Sequence, residues 1–218
     1  GEFGESTLPE MFSDGLLDDA LKFSLNYAAT SWIENKGDGK FELHALPVEA
    51  QMAPIYGILP MHLDDDPFTD LLLIGNDYGM EVQQGRADAL VGLALKNNGN
   101  GNFQALPLER SHFFVPGDGK SLVSLKNNKG KLLTIASQNN DSLRVFEFNK
   151  EVSLNTVQLQ PNEVKAIIYY SDGSHSLHEL YWGSTFQSQS SRAIIVPLLA
   201  TEVKFYDVNG KETRAKVL

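Results

Sequence analysis

The feature that most constrains this chain is a turn that occurs twice. Asn35-Lys36-Gly37-Asp38-Gly39-Lys40-Phe41 is matched 62 residues later by Asn97-Asn98-Gly99-Asn100-Gly101-Asn102-Phe103. A second pair, Leu71-Leu72-Leu73-Ile74 and Leu132-Leu133-Thr134-Ile135, recurs at 61 residues. Asn-x-Gly-x-Gly supplies residues that tolerate positive φ, and so reverses one strand into the next. A period this long, filled with short strands and turns, predicts the blades of a propeller or a related all-β stack. Phe41 and Phe103 are expected at equivalent, largely buried positions. Leu71–Ile74 and Leu132–Ile135 are expected to be equivalent strands.

Residues 13–30 are the one stretch with helical spacing. Ser13 can cap, Asp14 lies in the first turn, and Leu17, Leu21 and Leu25 recur four apart. Beyond residue 149 the texture changes to Val164–Tyr170, Leu177–Trp182, Ala193–Leu198 and Glu202–Val208, separated by Ser-Asp-Gly-Ser and Asn-Gly turns. The expected organisation is therefore all-β. Residues 1–150 form partial propeller-like blades with one N-terminal helix, and residues 151–218 a small antiparallel β module. The boundary falls near 149–155. A closed propeller needs at least four blades, so the chain is expected to be a piece of one.

With 28 acidic residues against 18 basic, the net charge of −10 argues against a nucleic-acid surface, which needs dense Lys and Arg. No cysteine is present, which removes disulfides, thiolate nucleophiles and Cys-ligated zinc. The apolar run Ala193–Ala200 is interrupted by Pro197 and is far short of a membrane span. Residues 1–12 have neither a basic n-region nor an apolar h-region, and Gly1-Glu2-Phe3 fits an expression scar. Any targeting signal is then expected to lie outside this fragment.

The turn at Asn35–Phe41 and its copy resemble the N-x-G-D-G-x-F turn of FG-GAP/VCBS-type repeats. In those repeats a segment D-x-[DN]-x-D-G-x-x-D-L-L forms a calcium loop. His62-Leu63-Asp64-Asp65-Asp66-Pro67-Phe68-Thr69-Asp70-Leu71-Leu72 lies over that pattern, with His62 at its first position and Pro67 at its glycine. The copy near Asn127–Lys131 lacks the acids. Gly183–Ser191, with the strand Glu202–Tyr206 and the Asp207–Gly210 turn, resembles the ASPIC/UnbV domain that often follows such repeats. The stretch Gly75–Glu81 and Gly85–Ala89 is similar to a form found in surface proteins of Bacteroidetes. These resemblances imply a propeller-like, secreted or surface-exposed protein.

Two sets of residues are candidates for a site. Asp64, Asp66 and Asp70 offer alternating carboxylates on a tight loop, the oxygen-rich donor set that Ca²⁺ takes; the alternative is a solvated acidic turn. Asn76, Tyr78, Glu81, Arg86 and Asp88 offer donors, acceptors, an aromatic face and both charges for a glycan or protein ligand. The alternative there is a loop held by Arg86–Asp88 or Arg86–Glu81 pairing. Gly117-Asp118-Gly119-Lys120 lacks the spacing of a phosphate loop, and Gly-x-Ser-x-Gly is absent. His175 and His178, three apart on a strand, face opposite sides. Ser188, Ser190 and Ser191 are expected to bond backbone, with one of Tyr181 and Trp182 in the core.

No nucleophile–base pair is assembled in the sequence. The expected function is a non-catalytic extracellular or cell-surface binding or adhesion module. The alternatives are an accessory domain of a secreted hydrolase and a structural spacer.

Overall fold

A computed structural model describes the chain except for residues 1–3, 13, 14, 22, 65, 67, 100, 130, 148–154 and 198. The fold begins with its turns. β1 (Ser31–Gly37) and β2 (Lys40–Ala45) form a hairpin. At its turn the Asn35 side-chain oxygen accepts the Gly37 N–H at 2.9 Å. The same device recurs between β5 (Leu93–Asn97) and β6 (Phe103–Leu106), where Asn97 accepts from Gly99 at 3.0 Å. Asn127 closes the turn between β7 (Gly119–Lys126) and β8 (Leu132–Gln138), taking the N–H groups of Lys129 and Lys131. In each case an amide oxygen two residues back organises the reversal. Gly99 and Gly101 have no substitute. Both have positive φ, and a Cβ would lie 2.5 Å from the Phe68 ring and 2.3 Å from the Trp32 ring, respectively.

β3 (Ile55–Met61), β4 (Asp70–Gly75), β5 and β6 make a four-stranded antiparallel sheet in sequence order. β7, β8 and β9 (Arg144–Glu147) make a three-stranded one. Leu71–Ile74 and Leu132–Ile135 thus occupy the second strand of successive meanders, and the β1–β2 hairpin corresponds to β5–β6. One core joins the two meanders through Leu59, Leu72, Ile74, Val115, Leu122 and Ala136. Another lies under the β1–β2 end and includes Leu46, Ala50, Leu73 and Leu95. Among the described residues the sheets are not closed into a barrel.

Two expectations are corrected. Residues 15–19 form turns and 23–30 contain no helix, while the N-terminal helix, α1, is Leu8–Met11, capped by the Thr7–Glu10 box. Leu21 and Leu25 are exposed, so the four-residue spacing has no apolar surface to bury against. Ser13 and Asp14 lie outside the described residues. The phenylalanines also differ. Phe103 packs edge-on to Trp32 at 6.4 Å, whereas Phe41 is 66% exposed, with none of the described residues covering its face of the two-stranded hairpin.

The C-terminal strands are β10 (Asn155–Gln158), β11 (Glu163–Tyr170), β12 (His175–Glu179), β13 (Ala193–Val196), β14 (Ala200–Asp207) and β15 (Glu212–Val217). β10 pairs with β13, and the other four form a sheet in the order β12-β11-β14-β15. Alternate side chains of the two sheets, Val157, Ile194 and Val196 against Ala166, Ile168, Val203 and Phe205, share one core. Among the described residues no ladder joins β1–β9 to β10–β15. The 149–155 junction falls almost entirely outside the described residues.

Candidate functional site

The acidic segment is the connection from β3 to β4. Asp70 starts β4 and is fully buried. Its two oxygens accept the backbone N–H groups of Leu63 (2.7 Å) and Asn97 (2.8 Å), tying the loop to the repeat turn. Burial raises the Asp70 carboxyl above its usual range, and these two bonds oppose the shift only in part. Asp64 accepts the Asp66 N–H and Asp66 the Phe68 N–H, two successive side-chain turns. The Lys96 ammonium from β5 bonds Asp64 and lies 3.4 Å from Asp66. Burial works to raise the Asp64 carboxyl, but Lys96 and the Asp66 N–H outweigh it and hold it low. His62 bonds the Phe68 carbonyl at 3.0 Å. Asp65 and Pro67 lie outside the described residues.

The 76–88 candidates divide. Asn76 is fully buried with positive φ. Its side chain donates to the Leu90 and Gly117 carbonyls and accepts the Leu90 N–H, so it staples the sheet internally. Arg86 lies 4.8 Å over the Tyr78 ring. Glu81 and Asp88 are exposed, and neither forms an ion pair with Arg86 among the described residues. The loop is closed instead by a backbone bridge between Asp77 and Ala87. Residues outside the predicted set gather at its base. Tyr56 donates to Asp77 at 3.1 Å, and Lys120 sits 3.7 Å over the Tyr56 ring and 2.6 Å from buried Asp118. The Gly79 N–H and the Tyr56 hydroxyl lower the Asp77 carboxyl.

The serine-rich segment explains how the C-terminal strands are attached. Ser190 accepts the Ser124 N–H and Ser191 the Lys126 N–H, while the Ser191 N–H donates to the Ser124 carbonyl at 2.8 Å. Thr185 both accepts from and donates to the Leu122 backbone. The segment thereby covers the free edge of β7 with hydroxyls in place of a strand. Tyr181 and Trp182 are both exposed, contrary to the expected division, because they lie beyond β12, which ends at Glu179; Arg192 stacks on Trp182 at 4.3 Å.

At this join lies a cleft of about 490 Å³. β3 and its loop contribute Leu59, Met61, His62 and Thr69, and Ser124 and Thr156 lie beside them. Tyr170, Ser176, His178 and Leu180 face them from the C-terminal sheet. Ser176 and His178, two apart on β12, share one side. The Tyr170 hydroxyl meets Ser176 at 2.9 Å, and Ser176 meets the His178 Nε2 at 3.0 Å. Burial first, then the proximity of His62, lowers the His178 pKa. The alternation at 176 and 178 is visible in the sequence; the facing wall is not.

Glu34, Glu42 and His44 form a third cluster on the β1–β2 hairpin. Trp32 stacks on His44 at 4.4 Å, and Lys36 bridges both glutamates. No protein-family model matches the chain, and no curated protein matches it either. No helix among the described residues is long and apolar enough to cross a membrane.

Proposed function

We propose that the protein is a non-catalytic binding module acting at the cell surface or outside the cell, and that its ligand enters the cleft at the join. The cleft itself carries this reading. Its walls alternate hydroxyls and imidazoles (Ser124, Thr156, Tyr170, Ser176, His178) with apolar patches (Leu59, Met61, Leu180). Such a lining, with Glu179 at its edge, suits a ligand with both hydroxyl and C–H faces, as a short glycan has. The Ser176–His178 pair has no carboxylate on the second ring nitrogen among the described contacts, and so lacks the orienting partner of a hydrolytic triad. The likeness of the turns to FG-GAP/VCBS-type repeats supports a surface role.

Titration calorimetry against glycan and peptide panels tests the proposal. A glycan that binds the parent should lose binding to Thr69→Trp, which fills the cleft, and weaken with His178→Ala. Binding left intact by Thr69→Trp would move the site elsewhere, with the Tyr78–Arg86 loop next to be tested by Tyr78→Ala.

A further inference from the structure

The segment preceding β1 carries a pattern the fold leaves unused. Leu21, Phe23, Leu25 and Tyr27 alternate with Lys22, Ser24 and Asn26, the period of a strand with one apolar face. Yet 23–27 pair with no strand, and Leu21, Phe23 and Leu25 are 86%, 91% and 83% exposed. β1 complements this segment. It pairs with β2 on one edge, and among the described residues its other edge is free. Ile33, Phe41 and Leu43, on one face of that hairpin, are also exposed. The internal repeat shows what such an edge accepts. β5, the counterpart of β1, carries the apolar strand β4 there, with Leu71, Leu72 and Leu73 opposite Leu95, Ala94 and Leu93.

We propose that residues 23–27 of one copy add as an antiparallel strand to the free edge of β1 in a second copy, reciprocally, making a two-fold dimer. Return within one chain is opposed by the connection. The Leu46 N–H donates to the Thr30 carbonyl at 2.9 Å, so Thr30 already belongs to the β1–β2 ladder. Only Ala28 and Ala29 then remain to reverse the chain. A two-residue reversal needs positive φ, which Asn and Gly adopt and Ala resists; neither alanine has it here. Exchange between copies needs no such turn and gives both unpaired strands a ladder partner at once.

Sedimentation and light scattering of the intact chain over a concentration series test this. The parent is expected to dimerise reversibly. Phe23→Asp with Leu25→Asp, and separately Ile33→Asp, should weaken self-association by about tenfold or more, since each replaces an apolar cross-strand neighbour with a charge. All these positions are exposed in the single chain, so circular dichroism and melting temperature of the monomer should not change. Ala28→Asn with Ala29→Gly supplies the missing turn and should give a monomer whose 23–27 amides are protected from hydrogen exchange. A parent that stays monomeric at high concentration overturns the proposal. So does a dimer that survives both the 23/25 and the 33 substitutions.

Discussion

Asp70 and Glu163 are both wholly withdrawn from solvent, one at the head of β4 and the other at the head of β11. They are kept there by opposite means. Among the described residues Asp70 has no cation against it, and two backbone N–H groups hold it. Glu163 receives two bonds from the Arg214 guanidinium, at 2.7 and 2.9 Å, with the Thr213 hydroxyl and the Gln160 N–H completing its shell. Burial pushes both carboxyls up. It prevails at Asp70, whereas Arg214, Gln160 and Thr213 overcome it at Glu163 and hold that carboxyl below its usual range. Two backbone N–H groups can hold a buried acid that fastens a loop, whereas the acid inside the sandwich core is given a dedicated counter-ion. The N-terminal sheets use the first solution and the C-terminal sandwich the second.

The contrast is most directly broken at Glu163. Glu163→Gln leaves Arg214 half-partnered over the Phe205 ring, and should cost about 3 kcal/mol in urea denaturation. Asp70→Ala leaves two backbone N–H groups unmet near the loop and should cost about 2 kcal/mol, while Asp70→Asn, which keeps one acceptor oxygen, should cost less.

The two sites should also respond to acid in opposite directions. An unperturbed Glu titrates near 4.5, so the Glu163 contribution is present above that pH and is lost as pH falls through the lowered folded value. The deficit of Glu163→Gln should therefore shrink in acid. An unperturbed Asp titrates near 3.8, so the Asp70 contribution is full below that pH and is lost as pH rises through the raised folded value. The deficit of Asp70→Asn should grow in acid. Equal pH profiles for the two variants would erase the distinction.

The smallest effect is expected at Lys96. Its ammonium already supplies positive charge to Asp64 and Asp66, and the Asp70 oxygens are committed to backbone. We therefore expect the parent melting temperature to be indifferent to added Ca²⁺ and to chelator, and Lys96→Met to lower it slightly. A rise with Ca²⁺ that Asp66→Ala abolishes would instead give the loop a metal, and would make the β3–β4 connection a cation site like the one its sequence resembles.

How far each element could be read from sequence depended on the range of the interaction that makes it. The Asn-x-Gly turns act over two residues, and all recur as hydrogen-bonded reversals. The predicted helix failed because spacing alone was read at Leu17, Leu21 and Leu25, while Phe23 and Tyr27 continue the apolar positions at a period of two. The residues of the 76–88 set take different parts in their loop. Asn76 is an internal staple, Tyr78 and Arg86 meet, and Tyr56 and Lys120 were not anticipated because they come from β3 and β7.

The sequence by itself determined an all-β chain, its reversals and its repeat, because turn chemistry and side-chain alternation are local and backbone-imposed. Only the tertiary structure brought Lys96 to Asp64 from 32 residues away and Ser190 to Ser124 from 66. It also placed His62 and His178 on the lining of one cleft. Those meetings depend on strand register and on how sheets pack. No short-range pattern in the sequence carries that information, because each partner alone has the same local chemistry whether or not the other arrives.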